Sequence, residues 1–595
     1  MNIQAPSRVY TTELTNEIKY YDQLHQEKYR DERQTHTEHC VQLADSLASD
    51  LTHKERIYDA LYHHRFLPAG RVQAALGATE REVSPFNCSV SQRIDDDINS
   101  IMAAQTNAVK ILRLGTGIGF NFSHLRPRGA EIKKLKTESS GPLSFMRGFD
   151  VYASTIASSG HRRGAMMGIM NVDHPDIEQF IDAKMEKDAY RQFNLSVGIT
   201  DSFMDAVNSN STWDLVFGGK VYKTLQAIDL WEKITRNAYE SAEPGIIFID
   251  RLNQNNNLHY CEKIEATNPC AEQPLPPYGL CTLGSFNLMA YVYTTGGSLQ
   301  FNFDALKKDI YCFVEAYDNI FDDAVYAIPE HEIEAKNKRR IGLGMTGIAN
   351  AIEILLQRPS YGEKDFCEIL NTICSFTTNH AYRASVELAK KRGPFPLFDP
   401  IKYMESPFIQ SLEGSLQREI ELHGIRNSHL ISFAPCGTIS QCAWNVSSGV
   451  EPIFYHSVDR EVYMKEGKVK VTLNDFAYRQ FGFKGKTLED VTIEQHLNVA
   501  KTAQRWCDSA ISKTVNVAAS CSYEEYQNIY LEAYNAGLKG LTVFRPTALR
   551  GAVIVKAEEP KLDEELIEEL TFAPMEKEQP PVYHAGGCTN GACSM

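Results

Sequence analysis

The 595-residue sequence predicts an α/β protein whose strands are mainly parallel. Two observations carry this. From about residue 84 to 555, short apolar runs alternate with helical stretches, the pattern of strands joined by crossover helices. A hydrophobic content of 43% with 10% aromatics suits a substantial core. In chain order, residues 13–65 read as charged amphipathic helices that Pro68-Ala69-Gly70 brings to an end. The pattern then predicts a helix over Ile98–Leu114, a strand over Met166–Val172, a helix over Ile177–Met185, a strand over Phe193–Ile199 and a helix over Ile228–Tyr239. After Val555 the composition turns to Glu, Pro and Lys; residues 557–580 should be mobile apart from one short helix at Leu562–Leu570. The expected divisions are therefore 1–65, 66–555 and 556–595.

No apolar run approaches 18 residues, and the N-terminus has no basic stretch leading into an apolar one. A cytoplasmic protein without a membrane span is expected. The formal charge of −15 argues against a sequence-blind nucleic-acid binder, yet leaves room for small anions held by backbone N–H groups. Fourteen cysteines without an export signal point to reduced thiols. Cys261, Cys312, Cys367, Cys374, Cys507 and Cys521 read as buried structural residues. His36, His39 and Cys40 share a helical face that could ligate a metal, but the dense charge around them favours a solvated face, and no protein-ligated metal is expected.

Asn268-Pro269-Cys270-Ala271-Glu272 places a thiol between a carboxamide and a carboxylate, with Cys281 eleven positions beyond. Pro269 disfavours continuous helix or strand, so the segment reads as a loop tip. An isolated Asn-Pro-Cys would be a structural cysteine in a turn; the rest of the chain argues for chemistry. Gly115–Asn121 is glycine-rich but follows a helix, the reverse of a dinucleotide fingerprint, so Gly117 and Gly119 more plausibly let backbone pass near a ligand or another strand. The turn Ala434–Ser440 follows an apolar run and offers N–H groups and hydroxyls suited to a diphosphate, or simply caps a helix. The basic loop Ser158–Ala165 could read a nucleotide or be a surface turn. Cys588 and Cys593 end the chain behind a linker of roughly 30 residues and ~30 Å span, fit to exchange with a disulfide elsewhere.

Together these strings resemble the catalytic subunit of ribonucleotide reductase over residues 66–555 and the tail: L-P-A-G-R (67–71), F-N-C-S (86–89), G-T-G-I-G-F-N (115–121), N-P-C-A-E (268–272), C-T-L-G-S-F-N-L (281–288), R-R-I-G-L-G (339–344), P-C-G-T-I-S (435–440) and C-T-N-G-A-C (588–593). The resemblance implies a ten-stranded α/β barrel with a central finger loop, preceded by a small helical region. It implies that Cys270 is the thiyl radical, that Glu272 takes the 3′-hydroxyl proton, that Asn268 holds substrate oxygens, and that Cys88 and Cys281 deliver two electrons. Cys588 and Cys593 would shuttle electrons to that pair from a thioredoxin- or glutaredoxin-like reductant. Ala69, Asn87, Gly117 and the turn Pro435, Cys436, Gly437, Thr438, Ile439 and Ser440 would bind the ribonucleotide. Gly160, His161, Arg162, Arg163 and Gly164 would form the specificity loop, and Asp96 and Lys133 would meet a deoxynucleotide effector.

The absence of a tyrosine pair in Gly537–Pro546, with the proline of N-P-C, resembles the adenosylcobalamin-dependent class. The alternative is the large subunit of a reductase fed by a metal-containing partner; a non-catalytic nucleotide-binding regulator is a third reading. No N-terminal regulatory cone is expected. A homodimer contacting through Asp96–Leu114, with diphosphate substrates, follows from the same resemblance.

Overall fold

The computed structural model describes residues 12–156, 165–185, 189–464 and 467–546, all within one compact unit, Met1–Val555. The segment Gly160–Gly164, the helix expected at Leu562–Leu570 and the cysteines Cys588 and Cys593 lie outside the described residues.

A ten-stranded sheet organises the unit. Its strands are β1 (Phe66–Pro68), β2 (Cys88–Val90), β3 (Gly117–Asn121), β4 (Met166–Asn171), β5 (Phe193–Ile199), β6 (Gly245–Phe248), β7 (Leu280–Asn287), β8 (Ile341–Thr346), β9 (Thr514–Asn516) and β10 (Gly540–Phe544). Strands β2 to β6 run parallel in sequence order. β7 and β8 are parallel to each other, as are β9 and β10. The two groups meet antiparallel, β2 against β7 and β6 against β10. The remaining gap is bridged by Leu343 to Ile431 and by Phe433 to Ile511, just before β9, so the sheet closes on itself. Closure removes the unpaired edges that an open sheet would expose.

Most strands read as continuous apolar runs because they are covered on both sides, as parallel strands usually are. β3, β7 and β8 are buried along their whole length. Helices α1 (Thr12–Tyr29), α2 (His36–Leu47) and α3 (Leu51–Tyr62) precede the barrel. α2 starts at a capping box of Thr35 and Glu38, which satisfies two otherwise orphaned groups. Helix α4 (Ile98–Arg113) is capped by Asp97 and packs beside α5 (Pro142–Thr155). Among the described residues no helix is long and apolar enough to cross a membrane.

Two expectations about surface exposure are corrected. His39 and Cys40 are 1% and 2% exposed, not solvated. Their face of α2 turns inward, where His39 lies 5.3 Å from the His25 ring and Cys40 contributes to the main apolar core. The charged residues that suggested a wet face occupy the other side of the helix. Cys261, expected to be buried, is exposed, because it follows the turn that ends the helix Ile249–Gln254.

Candidate active site

Between β6 and β7 the chain makes a narrow hairpin, Ala266–Thr267 paired with Pro274–Leu275. Its tip is Asn268–Gln273, so Asn-Pro-Cys-Ala-Glu stands at a turn, as Pro269 requires. Ala271 adopts φ 65°, and its N–H donates to Asn268 O at 3.0 Å, which closes the turn. The stem packs in an apolar cluster with Val90, Met167, Ile169 and Ile247, one from each of β2 and β6 and two from β4. The hairpin is therefore held inside the barrel.

Both halves of the barrel hold the tip. On one side Asn194 Nδ2 donates to Pro269 O at 2.8 Å. A Cβ added to Gly119 would lie 1.8 Å from Thr267 O, and one at Gly117 would lie 3.0 Å from Pro269 Cγ. Only glycine lets β3 come this close. On the other side Ser432 Oγ and Ala510 N both donate to Glu272 O at 3.0 Å. Sequence reading missed Asn194, Ser432 and Ala510; strand alternation would have marked their direction but not their partner.

Cys88 and Cys281 face each other in the register of β2 and β7. Such pairs bring Cβ atoms to about 4.5–5.5 Å. Both thiols are reduced and buried, at 3% and 0% exposure, whereas Cys270 at the tip is half-buried. Asn268 Nδ2 donates to Cys88 Sγ at 3.0 Å, and Cys88 Sγ donates to Glu272 Oε1 at 3.7 Å. Asn268 is aimed by the tip itself, since Gln273 N donates to its Oδ1 at 2.9 Å. A carboxylate, an amide and a thiol thus converge on one point. Burial pushes the Cys281 thiol well above the usual range, while the Arg340 charge pulls it the other way.

Ala69, Cys88, Cys281 and Leu283 pack together with Ala434 alongside, so the strings around residues 69, 88, 281 and 434 meet at one place. Ala69 N donates to Leu283 O at 3.0 Å, and Gly117 N to Asn87 O at 3.0 Å. Asn87 Oδ1 is buried with no hydrogen-bond partner. The turn begins a short helix, Gly437–Cys442. Gly437 is exposed, and a Cβ there would meet nothing within 4 Å. Within the turn, Cys436 and Ile439 point into an apolar cluster with Leu67 and Ala443, so they can offer only backbone groups to a ligand.

Asp96 lines a cleft of about 430 Å³ with Arg93, His124, Asp173 and His174, and its carboxylate accepts from Arg126 Nε at 2.8 Å. Lys133 is exposed near the turn of the hairpin Glu131–Glu138 and is not among the lining residues.

Beside Cys270 the inner wall of β5, β6 and β10 carries small or polar groups. Asn194 and Ser196 point inward from β5, and a Cβ on Gly245 would lie 3.0 Å from Ser196 Oγ and 3.6 Å from Thr542 Oγ1. Asn194 and Thr542 are exposed although their strand neighbours are buried. The wall is open there, as a large cofactor reaching a half-buried thiol requires. Among the described residues no group of three or more His, Cys, Asp or Glu is placed to hold a metal ion.

Residues 86–544 match the ribonucleotide reductase barrel domain. The chain is 34% identical over 535 residues to the vitamin B12-dependent ribonucleoside-diphosphate reductase of Thermoplasma acidophilum, covering 84% of this chain and 67% of that one. It is 33% identical over 497 residues to a Mycobacterium tuberculosis protein of the same name, covering 78% and 68%. A Chlamydia pneumoniae ribonucleoside-diphosphate reductase subunit alpha is 23% identical over 582 residues, covering 82% and 54%. With a closed barrel, a cysteine-tipped hairpin inside it and a facing thiol pair beneath, the chain belongs to the ribonucleotide reductase family.

Proposed function

We propose that this chain reduces ribonucleoside diphosphates to 2′-deoxyribonucleotides, with adenosylcobalamin as its radical source. The observation that carries the reading is the meeting of Asn268 and Glu272 with Cys88, which faces Cys281, directly under the Cys270 tip. Removing a 2′ hydroxyl needs an activated carbon, a proton donor, a base and two reducing equivalents. These residues supply all four.

When bound, adenosylcobalamin supplies the one-electron oxidation of the Cys270 thiol; Asn194, Ser196 and Thr542 would border it. Cys270 then takes the 3′ hydrogen, and Glu272 takes the 3′-hydroxyl proton. Cys88 protonates the 2′ hydroxyl, which leaves as water. The Cys281 thiol hydrogen passes to the 2′ carbon as Cys88 and Cys281 join in a disulfide. The second electron of the pair, with the proton returned by Glu272, goes to the 3′ carbonyl. Cys270 returns the hydrogen to the 3′ carbon. Asn268 holds the substrate oxygens, and Ala69, Asn87 and Gly117 line the nucleoside. The first-turn N–H groups at Gly437 and Thr438 suit the diphosphate.

Cys588 and Cys593 are assigned to re-reduce the buried pair, drawing on a thioredoxin-like protein. Asp96 and the Gly160–Gly164 loop are assigned to deoxynucleotide control. A homodimer through α4 and α5 is supported by Ile98, Met102, Val151 and Tyr152, which are 56%, 44%, 61% and 51% exposed on these adjacent helices.

The test is an assay of the purified chain with a ribonucleoside diphosphate, a dithiol and adenosylcobalamin. Deoxynucleotide formed without a second protein is expected. Turnover only after adding a metal-containing partner would overturn the cofactor assignment.

A further inference from the structure

Gln273 follows Glu272 at the hairpin tip and is 0% exposed, yet neither atom of its carboxamide has a hydrogen-bond partner. Leaving such groups unpaired is costly, and an apolar side chain of similar shape would avoid that cost. The backbone of Gln273 is occupied: its N–H donates to Asn268 Oδ1, and its carbonyl accepts from Asn268 N at 3.1 Å. The side chain is spare.

It lies where β8 carries Gly342. A Cβ at that position would come within 2.8 Å of Gln273 Nε2, 3.1 Å of Cys281 Sγ and 2.5 Å of Leu283 Cδ2. The amide nitrogen and the sulfur therefore border one gap, kept free by a missing methyl group. In the reduced state Cys281 Sγ donates to Thr282 O at 3.4 Å and does not use the amide. A thiolate at Cys281 could not keep that bond, because it has no proton to donate. It would need a donor in a site that water does not reach.

We propose that the Gln273 carboxamide donates a hydrogen bond to the Cys281 sulfur while the Cys88–Cys281 disulfide is being reduced, making Cys281 the leaving thiolate and Cys88 the sulfur attacked. This rests on the reductase reading above. One thiolate of an external dithiol forms a bond to Cys88 Sγ, the Cys88–Cys281 bond breaks, and its electron pair stays on Cys281. Cys281 then takes up a proton. The second thiol of the reductant displaces Cys88, so the dithiol leaves oxidised and the pair is reduced. The sulfur that bears negative charge more easily is the better leaving group. At Cys281 burial and the Glu272 charge oppose a thiolate and the Arg340 charge favours one, so the amide donor is what would add to Arg340 there. At Cys88 the Glu272 carboxylate is in direct contact with the sulfur. The tail cysteines need not reach the more deeply buried sulfur.

The test uses the full chain oxidised with diamide, then reduced with dithiothreitol, quenched by alkylation in denaturant and read by mass spectrometry. It needs no nucleotide or cofactor. Gln273→Met keeps the volume and removes both polar atoms; Gln273→Glu keeps the shape, removes the N–H donors and adds charge. Reduction is expected to slow about tenfold in Gln273→Met and further in Gln273→Glu, with the melting temperature of the Met variant unchanged or raised. Glutathione, a monothiol, should leave its adduct on Cys88. Rates within about twofold of the parent in both variants, or an adduct on Cys281, would overturn the proposal. If the parent forms no Cys88–Cys281 disulfide at all, the reductase reading fails, and this proposal with it.

Discussion

Cys88 and Cys281 stand opposite one another on neighbouring antiparallel strands, although they lie far apart in the chain. β2 closes one half of the barrel and β7 opens the other, so the pair spans the seam between the halves. The hairpin that carries Cys270 descends onto that seam. Without external reductant, and with Cys588 and Cys593 replaced by Ser, one turnover should convert this pair to a disulfide and then stop. Peptide mapping after alkylation reads the outcome directly. Cys270→Ser should fold as the parent does and lose turnover by at least about a thousandfold.

Two glycines separate folding from binding. Gly119→Ala drives a methyl group into Thr267 O and should destabilise the protein by about 1–3 kcal/mol or more, seen as a lower melting temperature. Gly437→Ala meets nothing within 4 Å, so its melting temperature should match the parent's. Its KM should rise about tenfold with kcat little changed, because a methyl group would crowd the diphosphate.

The tail should matter only to a protein reductant. Cys588→Ser or Cys593→Ser is expected to abolish turnover driven by a thioredoxin-like protein while dithiothreitol still supports it. Equal loss with both reductants would place these cysteines elsewhere in the cycle.

Ile98→Lys combined with Val151→Glu should convert a dimer to monomers in sedimentation without altering the melting curve of the barrel. Both side chains are exposed, so no core contact is lost.

Acid should loosen the N-terminal helices first. Burial depresses His25 well below its ordinary value, and takes His39 and His64 to about 3. The unfolded chain would bind these protons near the ordinary 6.5, so between 6.5 and 3 it holds more protons than the folded chain. Stability therefore falls as pH drops through that window and is fully present above it. Hydrogen exchange in residues 25–64, corrected for intrinsic rate, should rise below about pH 6.5. His39→Phe should flatten that rise.

The alternation of apolar runs identified an α/β protein because strand and helix periods are local properties; Phe193–Ile199 and Ile98–Leu114 were legible for that reason. Pro269 marked a turn by its fixed φ, and the motif strings marked a family. What local patterns cannot hold is which distant residues meet. That Asn194 and Ser432 grip the same hairpin from opposite halves, that Gln273 and Cys281 both border the position where Gly342 lacks a side chain, and that His39 and Cys40 turn inward were decided only by closure of the barrel around its central loop and by the packing of the helices that precede it. Closure brings together side chains hundreds of positions apart, and burial then sets which thiol is sealed and which is left within reach.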